Sequence, residues 1–195
     1  HIRRTRAYVR TLIEYLLLQP AQRDRMPPEE WALIAKCAPL HDIGKVGIPD
    51  QILLKQGPLD ASEFAIMKQH TTLGRDALRT AELRVDAHDP FLRIASEIVY
   101  SHHERWDGTG YPQGLYGEAI PLAARLMAIA DVYDALISKR VYKPAFSHAK
   151  AVEIIAEGRG RHFDPLLVDC FLVCAETFNE IAVLHSDTPS AEESA

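Results

Sequence analysis

The chain has 195 residues, 47% of them hydrophobic and 25% charged, and its net charge is -5. This length favours one domain with a substantial core. The negative charge argues against broad binding of DNA or RNA, and the apolar runs are too short for us to expect a membrane-spanning segment or membrane contact.

Helical periodicity runs through almost the whole chain, and capping residues mark where the predicted helices begin. In chain order, the predicted helices cover or begin at residues 2 to 19, Pro27-Pro28, Asp60 with Glu63, Asp89-Pro90, Pro121, Ser147 and Asp164-Pro165. The predicted connections are residues 48 to 58, 80 to 90 and 106 to 117. Because no segment shows strand alternation, we expect an all-α bundle of about six to eight helices. Residues 1 to 185 are expected to form this domain, and residues 186 to 195 a flexible tail.

Seven residues with metal-binding side chains stand at positions where a polar residue is otherwise hard to justify. They are His1, His41, Asp42, His70, His102, His103 and Asp131. Their distribution over several predicted helices indicates one polynuclear centre with ligands pointing into the bundle. Imidazole and carboxylate ligands without thiolates suit iron, manganese, nickel or zinc. Two such metals a few Å apart are a device for attacking phosphate esters.

Asp131 is the most informative single position, because it lies inside a strongly apolar predicted helix. A buried carboxylate needs a metal or a cationic partner, since burying the charge alone costs several kcal/mol. The alternative to a metal is an ion pair with Arg125 or Arg140. Two further carboxylates, Asp134 and Glu104, are expected to orient metal ligands by hydrogen bonding.

Four cationic or aromatic residues close to these positions are candidates for substrate contacts: Lys45, Tyr111, Arg140 and Lys143. Lys45 could hold a phosphate oxygen or assist proton transfer. Tyr111 stands in a glycine-rich loop, where its ring could stack on a base, and the last two cations could clamp an anion. The alternative for each is an ordinary surface side chain.

Together these residues resemble the HD-GYP domains, a family within the HD superfamily. Residues 41 to 45 are similar to the HD-x-GK signature, and residues 102 to 112 to the HHE-x-x-DG-x-GYP signature. Residues 131 to 136 and 140 to 143 are similar to the DxxDA and R-x-YK segments of the family. The resemblance covers residues 1 to about 172.

The resemblance implies an HD-superfamily helical fold and metal-dependent hydrolysis of cyclic di-GMP to pGpG, in some members on to GMP, in bacterial second-messenger signalling. It implies that the seven residues above bind two divalent ions, with Asp42 bridging them. Iron is the most common metal, manganese or nickel is an option, and a third ion is left open. Lys45 and Asp42 are the implied catalytic residues, and Tyr111, Arg140 and Lys143 the other substrate contacts.

Two other interpretations stay open. One is a catalytically weak module that binds cyclic di-GMP or docks a diguanylate cyclase domain, and the other is an HD phosphohydrolase of ordinary nucleotides. The choice between cyclic di-GMP and cyclic GMP-AMP is also open. Because the chain begins at His1 rather than at Met, it is expected to be a domain excised from a longer protein, and the family resemblance implies an upstream receiver or sensor domain. The three cysteines are expected to be reduced and buried, which suits a cytoplasmic location.

Overall fold

The computed structural model describes residues 1 to 82, 89 to 138 and 145 to 185. Within these ranges the chain forms ten α-helices and three short 3-10 helices, without any strand. The helices are α1 (Ile2–Leu16), α2 (Pro20–Arg23), α3 (Pro28–Cys37), α4 (Asp50–Leu53), α5 (Ala61–Met67), α6 (His70–Glu82), α7 (Pro90–Ser101), α8 (Leu122–Ile137), α9 (His148–Glu157) and α10 (Pro165–Leu184). Because α2 and α4 are single turns, the eight longer helices agree with the predicted all-α bundle. None of the described helices is both long and apolar enough to cross a bilayer.

Local capping decides where several of these helices begin. The side chain of Asp60 accepts hydrogen bonds from two backbone N–H groups of α5, and Glu63 returns a bond to the backbone of Asp60, which completes a capping box. The carboxylates of Asp89 and Asp164 each accept a bond from the backbone N–H two residues later. The hydroxyl of Ser147 accepts one at the start of α9. Each of these predicted helix starts is therefore confirmed.

Two predicted connections contain helical turns, so the prediction is wrong there. The sequence predicts a loop over residues 48 to 58, but Asp50–Leu53 forms α4, with an acidic residue in its first turn. It also predicts a polar connection over residues 80 to 90, but α6 continues to Glu82. Residues 83 to 88 of that connection and the predicted tail over residues 186 to 195 lie outside the described residues.

The core lies where α1, α8 and α10 pack against one another. Aromatic side chains fill its centre, and the rings of Tyr8 and Phe178 stack with centroids 4.5 Å apart. The buried guanidinium of Arg125 donates to Asp164 over 2.6 Å, which ties α8 to the start of α10. Arg125 is thus engaged with Asp164, and the predicted alternative of an ion pair with Asp131 is wrong for this residue. The core holds α1 and α8 in place, and these helices position His1 and Asp131.

A close backbone contact joins the 3-10 helix Ile43–Gly47 to α6. A Cβ atom added at Gly44 would overlap the carbonyl oxygen of His70 and would lie 2.5 Å from the backbone nitrogen of Gly74. Only glycine allows so close an approach of two backbones. The contact places the segment that follows Asp42 directly against the start of α6, where His70 lies.

Candidate metal centre

The structure brings six of the seven predicted metal-binding side chains together in two groups. The mixed group consists of His1, His41 and Asp131, and the imidazole group of His70, His102 and His103. In each group the three available ligand atoms lie within 4.8 Å of one another. Long-range packing assembles them, since the mixed group joins α1, the end of the 3-10 helix Ala38–Leu40 and α8.

Asp42 lies between the two groups. Its Oδ2 atom is 3.3 Å from Nε2 of His41, and its Oδ1 atom is 3.6 Å from Nε2 of His70. In the mixed group, Oδ1 of Asp131 is 3.7 Å from the same His41 nitrogen. The two oxygens of one carboxylate therefore face different groups, as expected of a carboxylate shared by two cations.

Backbone carbonyls set the orientation of three of the imidazole rings. His41, His70 and His102 each direct Nδ1 to a carbonyl oxygen three or four residues earlier. The acceptors and N–O distances are Ala38 at 2.9 Å, Met67 at 2.7 Å and Ile98 at 3.0 Å. A carbonyl only accepts, so Nδ1 carries a proton, and in the neutral ring Nε2 keeps its lone pair. The Nε2 atoms of His70 and His102 are buried and have no hydrogen-bond partner among the described residues. Such orphaned nitrogen lone pairs fit a metal ligand.

A carboxylate orients the ring of His1. Nδ1 of His1 donates to Oδ2 of Asp134 over 2.7 Å, and Nε of Arg4 donates to Oδ1 of the same carboxylate over 2.6 Å. The hydrogen bond between His1 and Asp134 is the kind of orienting contact that the sequence predicts for Asp134. Arg4 is buried, and the sequence analysis missed it. Its position four residues before Tyr8 on the buried face of α1 is the signal that could have found it.

Glu104 supports a loop and not a histidine ring, so the prediction for this residue is wrong. Its buried carboxylate accepts hydrogen bonds from the backbone N–H groups of Gln113 and Leu115, over 2.7 and 3.0 Å. A Cβ atom at Gly110 would overlap the backbone of Glu104 and Arg105, so the glycine-rich loop folds back on the segment that follows the two histidines. A turn of this kind directs the carboxylate to the loop backbone.

Two predicted substrate contacts border the centre. Nζ of Lys45 donates to Oδ2 of Asp42 over 2.6 Å, and the lysine side chain is 40% exposed. The ring of Tyr111 packs against the ring of His103, with centroids 4.8 Å apart. The other two predicted contacts lie outside the described residues: Arg140 and Lys143.

A family comparison agrees with this arrangement. The HD domain model matches residues 2–167 of the chain. This chain belongs to the HD domain family. The resemblance to HD-GYP domains drawn from the sequence motifs is thereby confirmed, and so is the expected fold class.

Longer proteins resemble this HD domain in sequence. A cyclic di-GMP phosphodiesterase of Vibrio cholerae is 56% identical to it over 96% of this chain and 38% of the relative. A probable cyclic di-GMP phosphodiesterase of the same organism is 51% identical over 98% of this chain and 43% of the relative. The chain thus spans about two fifths of the length of these relatives.

A solved structure shares the fold. Bd1817, described as an HDG"Y"P protein from Bdellovibrio bacteriovorus, superimposes with a TM-score of 0.61. The two chains share 21% identity, and the match covers 90% of this chain and 53% of the other. At this identity the likeness supports the helical architecture of the HD domain.

The electrostatics differ between the two groups. Burial lowers the pKa of His103 to about 4 and that of His102 well below its usual value. Burial acts in the same direction on His41, but the neighbouring Asp131 and Asp42 outweigh it and raise its pKa to about 10. Burial raises the pKa of Asp131, whereas His41 lowers it, and the result is about 2. His102 and His103 are therefore neutral and Asp131 is ionised, which are the forms that bind a metal, whereas His41 would release a proton on binding one.

The donor set as a whole fits divalent metal ions. It combines five imidazoles with two carboxylates, which suit the borderline and harder divalent ions. The orphaned nitrogens of His70 and His102 are costly without a partner that accepts their lone pairs. The HD domain therefore presents a site for divalent metal.

Proposed function

We propose that this HD domain is a metal-dependent phosphodiesterase that hydrolyses cyclic di-GMP to pGpG, with the further cleavage to GMP left open. The observation that carries the proposal is the placement of Asp42, whose two oxygens face two separate groups of ligand atoms. Two cations sharing a carboxylate suit the hydrolysis of a phosphodiester. The names of the relatives, both cyclic di-GMP phosphodiesterases, support this substrate.

The proposed ligands follow from the two groups. His1, His41 and Asp131 would hold one ion, His70, His102 and His103 the other, and Asp42 would belong to both. Iron is the proposed metal, with manganese and nickel as substitutes that the same donors accept. When bound, such ions polarise a phosphoryl oxygen and make a water molecule a better nucleophile.

The residues of the chain bring the substrate to this centre. The ammonium of Lys45 lies against Asp42 at the edge of the site and is 40% exposed, so it can turn to a phosphoryl oxygen and offset its charge. Tyr111 stands next to His103, where its ring borders the reacting phosphate. By their motif positions, Arg140 and Lys143 remain proposed contacts to the substrate.

We propose that the domain works within a longer signalling protein, with a receiver or sensor domain in the same chain and a diguanylate cyclase domain as a partner. The support is the length of the relatives, of which this chain spans 38% and 43%.

The first test is hydrolysis by the metal-loaded protein. The protein would be loaded anaerobically with iron(II) or manganese(II), incubated with cyclic di-GMP, and the products separated by chromatography. We expect metal-dependent formation of pGpG or GMP, abolished in Asp42→Ala, because that variant removes the carboxylate between the two groups.

Asp169→Ala is the matched control, since Asp169 is exposed and pairs with Arg159 on the surface. It should retain full activity. A fully metallated protein that binds cyclic di-GMP without cleaving it would refute the phosphodiesterase and support a binding module instead.

A further inference from the structure

A row of aromatic rings leads outward from the imidazole group. The His103 and Tyr111 centroids are 4.8 Å apart, and the Tyr111 and Phe64 centroids are 6.1 Å apart. The planes of the last two rings meet at 84°. Tyr111 and Phe64 therefore form a corner beside the candidate metal centre, with one wall from the glycine-rich loop and one from α5.

The position of Phe64 is not explained by packing in the core. Helix α5 contains no buried residue, and Phe64 itself is 45% exposed. A large aromatic ring gains little stability at the surface, whereas an exposed ring next to a nucleotide site offers a face on which a base can stack. Phe64 therefore has the placement of a ligand contact.

Lys68 adds a cation to the same corner. It follows Phe64 by four residues, which places both side chains on one face of the helix. Its Nζ atom is 5.4 Å from the ring centroid of Phe64 and 5.7 Å from that of Tyr111. Both distances lie within the range of a cation–π contact. The ammonium group is thus held between the two rings, with hydrogen-bond donors available to a ligand.

We propose that Phe64, Lys68 and Tyr111 form a recognition corner for a guanine base. The inference rests on the proposed function, in which a phosphodiester lies at the metal centre and a nucleoside extends away from it. The base stacks against Phe64, and the Lys68 ammonium donates to the O6 and N7 atoms of guanine, both of which are acceptors. Adenine presents an N6 amino donor in place of O6, which a lysine cannot satisfy. Lys68 therefore favours guanine over adenine.

The test compares cyclic di-GMP with cyclic di-AMP on the metal-loaded protein. In Phe64→Leu we expect KM to rise about tenfold for both substrates, because stacking does not depend on the base, with kcat little changed. Phe64→Trp should restore KM. In Lys68→Met we expect kcat/KM to fall about tenfold for cyclic di-GMP and much less for cyclic di-AMP, so that the preference for guanine shrinks. Lys68→Arg should restore it.

Lys150→Met serves as the matched control, since this exposed lysine pairs with Glu153 on α9. A purely structural role of Lys68 predicts that Lys68→Met lowers the Tm and reduces kcat/KM equally for both substrates, and that result would overturn the proposal. An unchanged KM in Phe64→Leu would do the same.

Calorimetric titration of the metal-loaded protein with each dinucleotide separates this inference from the proposed function. If the wild type binds cyclic di-GMP without turnover, the phosphodiesterase fails, and the same base preference in Kd would still support the corner. If wild type and Lys68→Met have the same ratio of Kd values for cyclic di-GMP and cyclic di-AMP, guanine recognition by the corner is refuted, even when hydrolysis is confirmed.

Discussion

The imidazole group and the mixed group differ in what orients His70 and His102 in the first and His1 in the second. His70 and His102 are 1% and 2% exposed, and each ring is oriented by a backbone carbonyl three or four residues earlier. The side chain of His1 is 42% exposed, and Asp134, 133 residues away in the sequence, orients its ring. His70 and His102 are thus oriented by the backbone next to them in the sequence, and His1 by the packing of α1 against α8.

These different orienting contacts indicate how each group responds to mutations in the residues around it. The orientation of His70 and His102 persists as long as the turn that precedes each ring persists. The orientation of His1 depends on the docking of α1, which the buried contact between Arg4 and Asp134 supports. Perturbations of the α1–α8 contact should therefore reach the mixed group first, whereas perturbations of Asp42 should reach both.

The largest effect is expected where the two groups meet. In Gly44→Ala the added methyl group would overlap the carbonyl oxygen of His70 and would force the segment of Asp42 away from α6. We expect the free energy of unfolding to fall by about 3 kcal/mol, the upper end for overpacking, together with loss of bound metal. Urea unfolding and elemental analysis would measure both quantities.

Val46→Ala provides the control for this variant. Val46 lies in the same 3-10 helix but is 91% exposed, so its truncation should change stability by less than about 0.5 kcal/mol. A Gly44→Ala protein that is as stable as the wild type and has full metal content would show that neither stability nor metal binding needs the close contact at Gly44.

A smaller and selective effect is expected for Asp134→Asn. The change weakens the partner that orients His1, and loss of such a partner typically lowers metal affinity by about 10- to 100-fold. We expect this loss at one of two metal sites, measured as a change in stoichiometry and affinity by titration of the apoprotein. Equal weakening of both sites would contradict the separation of the two groups, and Asp169→Asn should change neither.

The smallest effect is expected for Glu104→Gln. The carboxylate accepts from two backbone N–H groups of the glycine-rich loop, and the amide supplies a single acceptor oxygen. We expect a loss of about 1.5 kcal/mol in stability and a severalfold rise in KM, with metal content unchanged in both groups. A fall in metal content would instead support the orienting role predicted from the sequence.

Helix starts and helix continuations were not equally predictable. The capping box of Asp60 and Glu63 and the carboxylate at Asp164 act within three residues, so the sequence shows them directly. The turn Asp50–Leu53 and the last turn of α6 have no such local marker, and the sequence analysis predicts loops there. A short helix without a cap depends on its neighbours, because an isolated turn is unfavourable.

In the candidate metal centre, too, the sequence predicts some features and not others. The seven proposed ligands, together with Lys45 and Tyr111 beside them, are predicted by motifs that the sequence displays in order. Their distribution into two groups does not follow, since the partners are brought together from α1, α6, α7 and α8. Phe64 and Lys68 carry no motif signal, and only their distance to the ring of Tyr111 draws attention to them.

The sequence by itself therefore determined the helical class, most helix starts, the HD family and the identities of the proposed ligands, because capping and motif spacing act over a few residues. Only the tertiary structure decided that Asp42 faces both groups, that Arg4 and Asp134 support His1, and that Glu104 holds a loop. The reason is physical: the direction of a buried polar side chain depends on which partner the packing of distant helices places within hydrogen-bonding distance.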